Sequence, residues 1–205
     1  EQTRVWSLRA AAWLREQGLQ PGDRLVVALP NQPLIAALVF AASRLGAVWC
    51  VLHPDARPPR LRAMAADCTP ALTVADGPAL AALAGGPGRL VSLADAVAAI
   101  AAADTDATTD PATAPEPTLA GLVYTSGSTS QPKGVMVTHR NVTFTSGAIQ
   151  QVLGLRPTDT IGLALPLAFD YGLYQLFLAC RSGASVALGA GLEAGVDWRS
   201  EEHTS

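Results

Sequence analysis

Apolar and polar residues along this chain alternate in two rhythms, a helical one and a strand-like one, that succeed each other from the start. In residues 4–17 the apolar side chains Val5, Leu8, Ala12 and Trp13 fall near helical spacing, and Gly18 and the turn Gln20-Pro-Gly-Asp23 close the segment. Residues 24–29 are short, β-branched and almost continuously apolar, the pattern of a strand covered on both faces. A helix is expected over about 32–45, a strand over 47–52, a helix near 60–67, a strand over 71–75 and a further pair ending near Ala102. Strands alternating with helices imply parallel βαβ units, so the expected class is α/β with layered βαβ subdomains.

Residues 104–118 break this rhythm. They are polar, carry three prolines and show no periodicity, which predicts an exposed connector. Beyond it the pattern resumes with a strand at 119–124, a hydroxyl-rich loop, a strand at 134–138 and an amphipathic helix at 141–153. A last unit comprises a strand at 160–165, a helix at 170–181 and a strand at 184–188.

Composition narrows the class of function. Across 205 residues, 49% are hydrophobic and the net charge is -3, so a buried core is affordable and no basic stripe invites nucleic acid. No apolar run reaches the roughly 20 residues of a membrane span. The three cysteines Cys50, Cys68 and Cys180 are odd in number, widely spaced and free of CxxC pairs, which argues against disulfides and zinc and for a reducing cytoplasm. Trp6, Trp13 and Trp49 read as packing residues, His53 as structural and Cys180 as a small hydrophobe on a helix.

Charge chemistry then singles out one residue. Lys133 is the sole lysine among fourteen Lys and Arg side chains, and it lies in Tyr124-Thr-Ser-Gly-Ser-Thr-Ser-Gln-Pro-Lys-Gly134. Glycine lets backbone N–H groups approach an anion, hydroxyls donate hydrogen bonds, and a compact ammonium supplies a point charge for phosphate oxygens. Gly127 and Lys133 have Walker A spacing, but Pro132 stands where that loop needs glycine and Gly134 where it needs a hydroxyl for magnesium. A standard P-loop is therefore disfavoured.

The segment closely resembles the signature of the acyl-adenylate-forming superfamily, T-S-G-[ST]-T-G-x-P-K-G-V, which acyl-CoA synthetases, nonribosomal peptide adenylation domains and luciferases share. Thr125 to Val135 match every fixed position except Ser130, where the family has glycine, and Thr138-His-Arg-Asn141 matches the following T-H-x-N. Leu19-Gln-Pro-Gly-Asp-Arg24, Leu29-Pro-Asn31, Arg44-Leu-Gly-Ala-Val-Trp49 and His53-Pro-Asp-Ala-Arg-Pro-Pro-Arg-Leu61 resemble further family elements. The resemblance covers about residues 4–188 and corresponds to the first part of the family's large N-terminal domain.

Several expectations follow from that resemblance. The intact protein would activate a carboxylic acid with ATP and Mg2+ as an acyl-adenylate, release pyrophosphate and pass the acyl group to the thiol of CoA or of a carrier protein's phosphopantetheine. Thr125, Ser126, Gly127, Ser128, Thr129, Ser130 and Gly134 would form the phosphate-binding loop, with Lys133 as its catalytic cation. Leu165-Pro-Leu-Ala-Phe-Asp-Tyr-Gly172 falls at the start of the family's acid pocket, with Phe169 at its gate. Asp170 either holds the α-ammonium of an amino-acid substrate or caps the helix after it. His139 either lines the pocket or packs at a helix start. A nonribosomal-peptide-type amino-acid adenylation enzyme and a non-catalytic nucleotide-binding module remain alternatives.

The family's ribose-binding aspartate, magnesium-binding glutamate, hinge and C-terminal catalytic lysine lie further along than this chain reaches. Residues 1–198 are accordingly expected to be a partial AMP-binding domain, inactive alone. Residues 199–205 share no pattern with what precedes them and are expected to be a non-biological tail, so their Glu-Glu-His cluster is not read as a metal site.

Overall fold

The computed structural model describes residues 2–104, 118–125 and 132–189. The expected connector at 104–118 and the tail at 199–205 lie almost wholly or wholly outside these residues.

A helix α1 (Gln2–Glu16) buries Ser7, Ala10, Ala11, Trp13 and Leu14 along one face, and the chain reverses at Gly18, whose φ of +84° is costly for any residue with a Cβ. Strand β1 (Arg24–Ala28) leads to α2 (Pro33–Arg44), and β2 (Val48–Val51) to α3 (Pro58–Cys68). Both helices begin on proline, whose missing N–H would be unpaired in a first turn anyway. Then follow β3 (Leu72–Ala75), α4 (Gly77–Leu83), β4 (Arg89–Ser92) and α5 (Leu93–Ala102). After the connector come β5 (Leu119–Thr125), β6 (Lys133–Thr138), α6 (His139–Leu153), β7 (Thr160–Leu163), α7 (Asp170–Ser182) and β8 (Ser185–Leu188).

Six strands form one sheet in the order β4-β3-β1-β2-β5-β6. All neighbours are parallel except β5 and β6, which form an antiparallel hairpin. Because side chains alternate across a strand, each central strand feeds two cores. Leu25 and Val27 of β1, Trp49 and Val51 of β2, and Leu72 and Val74 of β3 join α1, α2, α5 and α7 on one side. Val26, Ala28, Cys50, Leu52 and Ala75 meet α3 and α4 on the other.

Strands β7 and β8 pair in parallel as a separate two-stranded sheet. That unit joins the main core through Leu163, Leu167, Leu173, Leu176 and Phe177. The Phe177 ring meets Phe40, Trp49 and Tyr174, with centroids 6.2, 5.9 and 5.8 Å away.

Trp13 and Trp49 are buried as expected, whereas Trp6, near the start of α1, is 37% exposed. All three cysteines are free, and Cys180 is exposed rather than packed inside. No helix among the described residues is long and apolar enough to cross a membrane.

Candidate nucleotide and acid site

Strand β5 lies parallel to β2, so its end at Thr125 belongs to the carboxyl edge of the parallel sheet, where open α/β folds bind ligands. The chain returns through β6 with Thr125 opposite Lys133 and Tyr124 opposite Gly134. Thr125 and Lys133 are both exposed at the open end of this hairpin. A hydroxyl and the sole ammonium thus stand opposite each other at the strand ends that bound the hydroxyl-rich segment in sequence. Ser126, Gly127, Ser128, Thr129 and Ser130 lie outside the described residues. At Gly134 a Cβ would stand 3.3 Å from the Tyr124 ring, so the position suits glycine.

Helix α3 fastens the end of β5. Arg60 Nη2 donates to the Thr125 carbonyl at 3.0 Å, and Tyr124 Oη donates to Asp67 Oδ2 at 2.5 Å. Burial pushes the Tyr124 phenol well above its usual range, and the bond to Asp67 adds to the shift.

His139 is the first residue of α6. Thr138 and Asn141 form a capping box around it, with Thr138 Oγ1 accepting from Asn141 N at 3.1 Å and Asn141 Oδ1 accepting from Thr138 N at 3.0 Å. The His139 backbone N–H donates to Thr118 O, so the helix start is tied to the entry of β5. Its ring Nε2 is buried without a hydrogen-bond partner among the described residues, and burial lowers its pKa.

Phe169 precedes α7 and is 45% exposed, with its ring 5.9 Å from that of His53 at the end of β2. Asp170 opens α7 and is exposed; its Oδ1 accepts from Tyr171 N at 2.8 Å. The carboxylate thus makes a local backbone bond from the first helical turn, while Phe169 occupies the capping position without a side-chain bond. Gly172 lets α7 sit against the preceding turn, because a Cβ there would fall 2.4 Å from Pro166 O.

Three contributors went unassigned in the sequence. Asn31 donates from Nδ2 to Leu165 O and accepts at Oδ1 from Leu167 N, both at 2.9 Å. Arg60 and Asp67 hold β5 from α3. Asn31 and Arg60 stand inside the segments Leu29-Pro-Asn31 and His53-Pro-Asp-Ala-Arg-Pro-Pro-Arg-Leu61, a positional signal that carried no hint of their bonding partners. Among the described residues, no group of three or more His, Cys, Asp or Glu side chains could hold a metal ion.

An exposed ammonium and a hydroxyl at the carboxyl edge of a parallel sheet define a class of site, one suited to a polyphosphate. The AMP-binding enzyme family matches residues 1–199, and the chain belongs to that family, the acyl-adenylate-forming superfamily. It is 36% identical to an anthranilate–CoA ligase of Pseudomonas aeruginosa over 91% of its length and 38% of the relative. It is also 35% identical to pyochelin synthetase PchE of the same species, over 90% of this chain and 12% of that protein. The structure of VinN with 3-methylaspartate superposes with a TM-score of 0.81 at 30% identity, covering 91% of this chain and 52% of that one. The chain therefore spans about half or less of the length of these relatives.

Proposed function

We propose that the whole protein uses MgATP to activate a carboxylic acid and then passes the acyl group to a thiol, in the manner of an acyl-CoA ligase. The observation that carries this reading is the exposed Lys133 paired in register with Thr125 at the hairpin end, in a chain of the AMP-binding family. A carboxylate oxygen attacks the α-phosphorus of ATP, the bond to the bridging oxygen breaks, and pyrophosphate leaves with the electron pair. Negative charge then gathers on the pyrophosphate. Lys133 Nζ and the hydroxyls that begin at Thr125 would hold those oxygens, so the loop contributes orientation and electrostatic stabilisation rather than covalent chemistry. The described residues fit a polyphosphate, with a cation and a hydroxyl exposed and the strand end fastened by Arg60.

The thioester would form on CoA or on a carrier protein's phosphopantetheine. One observation favours an amino acid as the acid: Asp170 presents an exposed carboxylate beside Phe169, able to meet a substrate ammonium. The similarity to VinN, whose structure holds 3-methylaspartate, points the same way, while that to the anthranilate–CoA ligase favours an aryl acid.

The test is acid-dependent exchange of labelled pyrophosphate into ATP by the whole protein, over aryl acids, fatty acids and amino acids. Replacing Lys133 with alanine should lower exchange by about 10²-fold or more, the usual loss of one preorganised charge-stabilising donor. Exchange that survives Lys133→Ala unchanged would overturn the role of the loop. Absence of exchange with every acid would leave a nucleotide-binding protein without this catalysis.

A further inference from the structure

Asn31 sits between Pro30 and Pro33 in the link from β1 to α2, and its side-chain amide spans Pro166 in a segment more than 130 residues away. Its donor reaches Leu165 O and its acceptor receives Leu167 N–H, both at 2.9 Å. Since a carbonyl only accepts and a backbone N–H only donates, these partners fix which end of the amide is which. The pattern is that of one residue in a parallel ladder, which donates to the residue before its neighbour and accepts from the residue after it. The neighbour here is Pro166, which has no N–H to leave unpaired. A side chain thus supplies a rung of sheet pairing where no strand runs.

The consequence reaches the candidate acid pocket. Pro166 O accepts from Phe169 N at 3.0 Å, and Phe169 O accepts from Leu173 N at 3.1 Å, so the turn fixed by Asn31 is bonded directly to the start of α7. Pro166 O also closes on Gly172, in space that a Cβ would fill. On the far side, His53 at the end of β2 packs its ring against Phe169. Phe169 and Asp170 are therefore set by one bonded chain that begins at Asn31, and the sheet's carboxyl edge dictates where they stand.

We infer that Asn31 is a positioning residue for acid selection: it sets the backbone that carries Phe169 and Asp170, and through it the affinity for and choice of acid, independently of the ATP side of the site. This inference rests on the acid-activating reading above. It assigns Asn31 no contact with the substrate.

Two variants of the whole protein test it, read by kinetics and by hydrogen exchange. Asn31→Ala removes both bonds and should raise the KM for the acid by about tenfold, the equivalent of one to two hydrogen bonds. The KM for ATP should stay within about twofold, and rejected acids of different size should gain relative to the preferred one. Asn31→Asp keeps the acceptor for Leu167 N–H and loses the donor to Leu165 O, so its acid KM should fall between those of the wild type and Asn31→Ala. The Leu167 amide should lose protection from exchange in Asn31→Ala and retain more of it in Asn31→Asp.

Equal rises in the two KM values would show general loosening and overturn selective positioning. Unchanged Leu167 protection in Asn31→Ala would overturn the clamp itself, whether or not the protein is active. A wild-type protein with a protected Leu167 amide and no acid-dependent exchange would overturn the acid-activating reading, and acid selection with it, while the clamp stood.

Discussion

Tyr124 and Asp67 meet across 57 residues of sequence, with the phenol donating to the carboxylate at 2.5 Å. Seven residues before Asp67, on the same face of α3, Arg60 holds the carbonyl of Thr125 at 3.0 Å. One helix face thus grips two consecutive residues at the end of β5, where the hairpin with β6 begins. Tyr124→Phe should cost about 0.5–1.5 kcal/mol, the range for one net hydrogen bond, because Asp67 is exposed and its carboxylate can turn to water.

The pH dependence of that loss has a defined sign. Burial, and then the bond to Asp67, raises the Tyr124 pKa in the folded protein above its ordinary value of about 10. The folded state therefore keeps a proton that the unfolded chain gives up, so the contribution is whole below about pH 10 and is lost as pH climbs above it. Urea midpoints between pH 8 and 11 should fall more steeply for the wild type than for Tyr124→Phe. Parallel alkaline limbs would show that Tyr124 is not the titrating group.

Gly121 makes a second demand on β5. It pairs in register with Trp49, and an added Cβ would lie 2.3 Å from the indole ring. Trp49 is 1% exposed and packs on Phe177, so it has nowhere to retreat. Gly121→Ala should destabilise the fold by about 1–3 kcal/mol or more through overpacking. Because β5 carries Thr125, affinity for nucleotide should fall as well. A variant with wild-type denaturant midpoint would show that the β2–β5 spacing can widen freely.

The sequence made the strands and helices legible because their periods differ: Leu25 to Ala28 form an unbroken apolar run, while α2 opens on proline and ends before a glycine in the left-handed region. It did not reveal the partners of strands. Lys133 to Thr138 carry the short apolar run Val135 to Val137, and an extended apolar run reads the same in parallel and antiparallel pairs. The separate β7–β8 sheet was hidden for the same reason.

Within the candidate site, Lys133 stood out by its uniqueness and by the loop around it. Asn31, Arg60 and Asp67 did not, since their partners Leu167, Thr125 and Tyr124 are 136, 65 and 57 residues away. No local pattern encodes a bond over such distances. Thr138 and Asn141 are the contrasting case, because a capping box closes within four residues and both of its members lie in the local motif Thr138-His-Arg-Asn141.

His139 gives the acid-side counterpart to Tyr124. It occupies the first position of α6, where the helix dipole disfavours a positive charge, and its Nε2 is buried without a partner among the described residues. Burial lowers its pKa in the folded state below the ordinary value of about 6.5. As pH falls past that value the unfolded chain gains a proton that the folded protein resists, so stability present above about pH 6.5 is lost on acidification. His139→Gln removes the titration and keeps a polar side chain. Its melting temperature should change less between pH 7 and pH 5 than that of the wild type, after the carboxylate losses common to both are subtracted. Identical pH profiles would mean that His139 takes up its proton in the folded protein as readily as in the unfolded chain, with a partner or solvent meeting its Nε2.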